Sequence, residues 1–276
     1  MLYNNNHIIL TIDVEDNFTP EELAKPGDWE IYEGQVVQNT DHVIKILKDL
    51  NADATFFVLG KVAQRHPEIV SHIEKAGYEV ASHGFAHERV DRMTGQAFED
   101  DLKKSLDVLQ SITGNKVKGF RARSFSITTR TLWALDILAK YHLNYDSSIM
   151  DTEVERIMEG EKIEPKKILR HSFVEFPIST TRILGFKQSI SGGIAFRLIP
   201  FPIYRRMLKR SYSFMNNRVL YCHVWEFNKD QPKRKISLLQ SIAQATWTYT
   251  TESKIRNLAL HYKFVSIRKY LKLFHA

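Results

Sequence analysis

Three short segments of this 276-residue chain concentrate side chains suited to hydrolysis: Asp13-Val14-Glu15-Asp16, His83-Gly84-Phe85-Ala86-His87 and Leu220-Tyr221-Cys222-His223. Each stands at the end of an apolar run that reads as a β-strand. Two histidines four residues apart on a helical turn point the same way, and a carboxylate from another segment completes a three-ligand metal site with one position open to water. A His-x-x-x-His pair alone is more often a surface or core feature. Asp13 and the ordered companions make the metal reading the stronger one here.

The elements that must position these groups alternate strand and helix. The spacing of apolar residues predicts strands over His7–Ile12, Ala54–Leu59, Tyr78–Ser82, Val117–Phe120, Leu143–Tyr145, Val174–Ile178 and Val219–Trp225. Helices are predicted over Asp41–Leu50, Pro67–Lys75, Gln96–Ile112 and Thr129–Tyr141. Pro67 in a first turn and Gly77 just past a last turn are the expected punctuation. Repeated βα units imply a parallel sheet, open or closed into a barrel, with catalytic candidates at the carboxyl ends of strands. Asp13, His83, Arg121, Asp146 and His223 all occupy such ends. The segment between Phe18 and Asn39, with Pro20, Pro26, Gly27 and Gly34, reads as a loop over the site mouth or a plain surface loop, and Asp151–Arg170 reads as irregular. The turn expected over Ser191–Pro202 could reach substrate through Gly192-Gly193.

Hydrophobic residues make up 43% of the chain and aromatic residues 11%, ample for one large core, and no repeat or Gly/Ser linker divides it. We therefore expect a single catalytic domain over residues 1–276, its core about residues 8–227 and a basic helical and strand part over residues 228–276. No stretch approaches the roughly 20 apolar residues of a membrane span. The first residues carry neither a basic region nor an apolar secretory stretch, and the lone Cys222 suits a reducing compartment, so a cytoplasmic location is expected. Cys222 reads as a strand residue, not a nucleophile. The net charge of +7 gathers late, in Arg205-Arg206, Lys209-Arg210, Lys233-Arg234-Lys235 and Arg268-Lys269. A solvated basic face is the plain reading; a peripheral contact with the anionic inner membrane face and a substrate carrying diphosphate are the others. Nucleic acid is not expected, because no zinc-finger spacing or aromatic single-strand-binding signature accompanies the charge.

Five motifs in order carry a resemblance: Thr11-Ile12-Asp13, Ser82-His83-Gly84-Phe85-Ala86-His87, Gly119-Phe120-Arg121-Ala122, Tyr145-Asp146-Ser147-Ser148 and His223-Val224-Trp225-Glu226. Together they resemble the polysaccharide deacetylases of carbohydrate esterase family 4, the NodB-homology group, and most closely the D-V-E-D branch linked to exopolysaccharide and surface-glycan biosynthesis. The resemblance implies an α/β fold, a distorted (β/α) barrel of parallel strands, fewer than eight. It implies a divalent metal, most simply Zn²⁺, held by His83, His87 and a carboxylate. Val14 fills the position after Asp13, so the third ligand is Glu15, on spacing, or Asp16. Asp13 matches the general base, Arg121 the arginine that orients it, and His223 the histidine that protonates the leaving group. Relatives read Arg-Ala-Pro or Arg-Pro-Pro where this chain has Arg121-Ala122-Arg123, which removes a rigid turn and adds a charge near the site.

Amide hydrolysis agrees with these roles. A metal-bound water with its pKa lowered to about 7 supplies the nucleophile, an adjacent carboxylate takes its proton and an imidazole protonates the departing amine. An arginine beside a carboxylate keeps it ionised and oriented, which is the reason to expect Arg121 near Asp13. Asp146 is a candidate for substrate contact or for capping the next turn, and Trp225 for substrate contact or a site wall. Glu226 pairs with a nearby base. The expected function is removal of an N-acetyl group from an amino sugar in a bacterial surface glycan or its precursor. The alternatives are hydrolysis of another C–N bond, of cyclic ureide or imide type, and a catalytically silent glycan-binding relative.

Overall fold

The computed structural model of the chain describes residues 6–16, 35–154, 174–183, 186–211, 217–230 and 248–274. Of the loop expected between Phe18 and Asn39, residues 18–34 lie outside the described residues and Val36–Asn39 are helix instead; most of Asp151–Arg170 and the Lys233–Lys235 cluster also lie outside the described residues.

Strand β1 (His7–Val14) is the axis on which the site is hung. Seven of its eight residues are buried, as a strand covered on both faces requires. Because side chains alternate, Ile8, Leu10, Ile12 and Val14 enter the large apolar layer under the helices, while Ile9, Thr11 and Asp13 point to the other face. That inner face is apolar at its base, where Ile9 meets Phe57, Ala81, Tyr145 and Val219. It is polar at its top.

All strand pairs of the main sheet are parallel. β1 pairs with β2 (Thr55–Val58) along Thr11–Val14, with β9 (Val219–His223) along Ile9–Asp13, and with β10 (Lys263–Val265) along His7–Ile9. From β2 the sheet continues through β3 (Glu79–Ser82), β4 (Gly119–Phe120), β5 (Tyr145–Asp146) and β6 (Val174–Glu175), eight strands among the described residues. The resemblance implied fewer; short β10 adds a strand at the foot of β1. A separate antiparallel hairpin joins β7 (Thr180–Ile183) and β8 (Phe186–Ser189). The result is a half-barrel of the expected α/β class, and the register places Asp13 directly opposite His223.

The helices cover the outer face. They are α1 (Val36–Asp49), α2 (Gly60–Arg65), α3 (Pro67–Lys75), α4 (Gly95–Thr113) and α5 (Trp133–Lys140). In α4, Phe98, Leu102, Leu106 and Leu109 form the buried stripe, and the Thr94 hydroxyl accepts the Ala97 amide at 3.2 Å to cap its start. α1 begins five residues before the expected Asp41, since Val36, Asn39 and Thr40 extend its buried face. The helix expected from Thr129 starts only at Trp133, because the Thr131 hydroxyl accepts the Thr128 amide at 2.8 Å and makes a turn there. The Ser191–Pro202 turn is largely helix: α6 (Gly193–Leu198) is followed by α7 (Phe201–Arg210), and Phe196 and Arg197 bury the inner side of α6. α8 (Thr248–Ala259) and α9 (Ile267–Phe274) close the chain, with Ile267 and Tyr270 filling the barrel base. No described helix is long and apolar enough to cross a membrane.

A buried lysine fastens α6. Lys254 of α8 donates to the carbonyls of Phe196 at 2.6 Å, Arg197 at 2.7 Å and Ile199 at 2.7 Å, satisfying the end of that short helix. Lys254→Met leaves those carbonyls unsatisfied. We expect a loss on the order of 3 kcal/mol in urea unfolding, and an unchanged midpoint would show that water replaces the cap.

Candidate active site and metal centre

Asp13 leaves the top of β1 into a cage. Arg121, fully buried, donates through Nη1 to Asp13 Oδ1 at 2.8 Å and to Thr11 Oγ1 at 2.9 Å. Its Nε reaches the Ser147 carbonyl at 3.2 Å and its Nη2 the Ser147 hydroxyl at 2.9 Å, with the Phe57 ring 4.2 Å from the guanidinium carbon. The next residue is held too, the Ala122 amide donating to Ser148 Oγ at 2.7 Å. The proline that relatives carry after this arginine is therefore not needed to place it.

The two histidines do not sit on a helical turn as the spacing predicts. Gly84 (φ 75°) and His87 (φ 63°) take left-handed backbone conformations, and the segment is a loop. It is held from three sides. Asp101 of α4 accepts the Phe85 and Ala86 amides at 2.7 and 2.9 Å, and the Gly60 and Lys61 amides at the start of α2 donate to the Gly84 and Phe85 carbonyls at 2.8 and 3.1 Å. Gly60 has no room for a side chain: a Cβ there would stand 2.7 Å from the Phe85 ring. On the third side Arg123 Nη1 donates to the His87 carbonyl at 2.7 Å, so the charge that replaces the proline anchors the left-handed residue.

The loop brings the imidazoles to a centroid separation of 5.2 Å with Glu15 between them. Glu15 Oε2 lies 2.7 Å from His87 Nε2 and 4.0 Å from His83 Nε2. Glu15, His83 and His87, all buried, offer ligand atoms within 4.8 Å of one another. Asp16 is turned elsewhere, its Oδ1 accepting the Gln35 amide at 3.0 Å ahead of α1. Two imidazole nitrogens and a carboxylate oxygen suit a divalent cation of zinc type. His83 is prepared for it: Nδ1 faces the Arg121 carbonyl at 2.8 Å, which leaves Nε2 unprotonated toward Glu15. Burial pulls the His83 pKa down to about 4, with the His87 charge adding to that and Asp13 and Glu15 opposing it. Burial alone would raise the Glu15 pKa, but His87, His223 and His83 around it hold it well below the carboxylate range.

His223 closes the opposite side. Its Nε2 is 3.5 Å from Glu15 Oε1 and its Nδ1 2.7 Å from Glu226 Oε1. Burial would depress this histidine, but the Glu226 hydrogen bond and charge, with Glu15 and Asp13, raise its pKa to about 9. Trp225, 5% exposed, stacks on the His223 ring at 5.2 Å and carries the Arg197 guanidinium 5.1 Å from its own ring. It is a wall behind the imidazole. Asp13, Glu15, His83, His87, His223 and Arg123 line one cleft of about 510 Å³. Cys222 faces the outer apolar layer, where burial pushes its thiol up.

Of the two roles expected of Asp146, substrate contact and capping the next turn, its geometry fits the cap. It is fully enclosed, accepts the Ser148 hydroxyl at 2.5 Å, and so caps the turn after β5. Across the register it faces Glu175, a buried carboxyl absent from the sequence reading because no motif contains it. Asp101 and Arg197 were likewise invisible, since each acts through a fold contact distant in sequence.

Residues 6–144, half of the chain, match the family model described as polysaccharide deacetylase. The chain belongs to the polysaccharide deacetylase family. Residues 147–272 of this deacetylase-family chain match a second model, described as a domain of unknown function, DUF3473. A peptidoglycan deacetylase of Helicobacter pylori is 29% identical over 49% of this chain and 43% of its own length. A chitooligosaccharide deacetylase of Azorhizobium caulinodans is 27% identical over 43% of this chain and 57% of its own. The chain thus spans about half the length of these relatives. A solved structure from Mycobacterium smegmatis, assigned as a polysaccharide deacetylase, superposes with a TM-score of 0.62 at 16% identity, over 100% of this chain and 92% of that one. That likeness shows the shared fold.

Beneath Arg121, the Asp146–Glu175 pair makes stability depend on pH. Burial raises the Asp146 pKa to about 6, and burial with the Asp146 charge raises Glu175 well above its ordinary value. The folded chain therefore binds these protons more tightly than the unfolded chain. Their stabilisation is full below about pH 4 and falls as pH rises, the Asp146 share being lost through about 6 and the Glu175 share at still higher pH. Glu175→Gln supplies a permanent donor to Asp146 and should raise Tm at pH 8 by roughly 5 °C, but far less at pH 5. Equal shifts at both pH values would disprove proton sharing.

Proposed function

We propose that the chain is a metal-dependent hydrolase that removes the N-acetyl group from an amino sugar within a glycan, with Glu15, His83 and His87 holding the divalent cation, most simply Zn²⁺. The observation that supports this most is the convergence of those three ligand atoms within 4.8 Å, in the cleft that also presents Asp13 and His223. A bound cation supplies Lewis-acid polarisation of the acetamido carbonyl and favours ionisation of water. The remaining steps belong to the protein's own groups. Asp13, oriented by Arg121 and Thr11, accepts the proton of the attacking water. His223, kept protonated at neutral pH chiefly by Glu226, donates to the sugar nitrogen as the C–N bond breaks. Glu226 then steadies the imidazole in one orientation. The relatives' names, peptidoglycan and chitooligosaccharide deacetylase, support an N-acetylated sugar polymer or its precursor as substrate.

Purified protein is expected to carry about one zinc per chain by elemental mass spectrometry. Replacing both His83 and His87 by Ala should remove the metal and acetate release together. Unchanged stoichiometry in that variant would sink the ligand assignment.

Asp13→Asn and His223→Ala should each keep the metal yet lose about 10²–10⁴-fold in acetate release from N-acetylated oligosaccharides. Normal turnover by Asp13→Asn would move the base role to another group. Metal loss in either variant would instead show a ligand.

A further inference from the structure

Helices α6 and α7 expose large aliphatic side chains alongside cations. Ile194 is 51% exposed, Leu198 46% and Ile203 55%, three of the few large aliphatic side chains that the described residues leave in water. Ile194 and Leu198, four residues apart, share one side of α6, and Ile203, Arg206 and Arg210 share one side of α7. The opposite side of α7 is anchored: Tyr204 and Leu208 are buried, and the Tyr204 hydroxyl donates to the Ile190 carbonyl at 3.0 Å. Pro200 and Pro202 between and within these helices are exposed as well, as are Arg206, Lys209 and Arg210. From Phe176 to Trp225 the chain has no acidic residue and eight Lys or Arg.

The charge pattern selects the occupant. A soluble polyanion would engage the arginines and leave three aliphatic side chains in water. A second copy of the chain would set like charges against each other. An anionic bilayer meets both demands, since aliphatic groups enter the headgroup region while Lys and Arg meet lipid phosphates. We propose that the α6–α7 surface seats the protein on an anionic lipid bilayer, with Ile194, Leu198 and Ile203 inserted and Arg206, Lys209 and Arg210 at the phosphates. The seat adjoins the cleft wall: a Cβ on Gly192 would stand 2.2 Å from the carbonyl of Tyr221, a lining residue, so the start of α6 is packed against that wall. Bilayer binding goes beyond the deacetylase reading and does not depend on it.

The test is sedimentation of the full chain with vesicles of pure phosphatidylcholine or of phosphatidylcholine with phosphatidylglycerol, from low to high salt. The parent protein should bind the anionic vesicles at least about tenfold better at low salt and lose that advantage at high salt. An Ile194→Ser, Leu198→Ser, Ile203→Ser triple variant and an Arg206→Glu, Arg210→Glu double variant should each bind at least about tenfold more weakly. Both change exposed side chains, and circular dichroism verifies their folding. Equal binding to the two vesicle types overturns the proposal. So does undiminished binding by the serine variant, which would leave only polyanion attraction, or a dimer in the ultracentrifuge that the serine variant dissolves, which would make this face a self-interface.

Discussion

A guanidinium without access to water organises the site. Arg121 is taken into the protein at a desolvation cost that only close partners can offset, and it finds them in Asp13, Thr11 and Ser147. These partners come from β1, from the turn after β5 and, through Thr11 Oγ1 on the Leu220 carbonyl, from β9. Its own carbonyl faces His83 Nδ1. One buried cation thereby fixes the direction of the Asp13 carboxylate and the tautomer of His83, two features the chemistry requires to be set before substrate arrives. Removing the partners would strand a charge; removing the arginine would cut the side-chain tie between the carboxyl end of β1 and those of β4 and β5.

Around that centre, polar groups are buried in chains in which each orients the next. Asp101 holds the amides of the histidine loop, the loop holds the imidazoles, and the imidazoles surround Glu15. On the far wall, Lys254 secures the end of α6, Arg197 of α6 lies over Trp225, and Trp225 stacks on His223. The half of the chain that matches a domain of unknown function thus contributes His223, Glu226 and the wall behind them. It is built into the same sheet as the deacetylase half through β9 and β10 on β1. Precision of this kind carries a cost in stability, visible in the Asp146–Glu175 pair, where two carboxyls share a site too dry for both to ionise.

Much of this was legible in the chain alone, for a physical reason. Parallel strands buried on both faces must be continuous apolar runs, so β1, β2 and β9 announce themselves, and the polar residue that ends such a run must lie at the sheet's carboxyl edge. Asp13, His83, Arg121 and His223 could be named as one constellation from that rule. The amphipathic stripes of α3 and α4 were equally plain. Short strands such as β4, β5 and β10, and the helices α6 and α7 that replace an expected turn, are blurred or missing in the sequence pattern, since two or three residues carry no periodicity and β10 pairs at the foot of β1.

Sequence by itself determined the reactive residue types, their order along the chain and the strand ends that carry them, because these follow from local pattern. Tertiary structure decided which carboxylate turns to the histidines. Glu15 and Asp16 are neighbours; the Gln35 amide holds Asp16 aside while Glu15 stands between His83 and His87. Tertiary structure also made the histidine loop left-handed at His87, since the Arg123 and Asp101 contacts that hold it join residues 15 to 36 positions apart. It buried Asp146 beside Glu175 of β6, away from the cleft. Such outcomes depend on which groups meet across the sheet, and no periodicity along one strand encodes that.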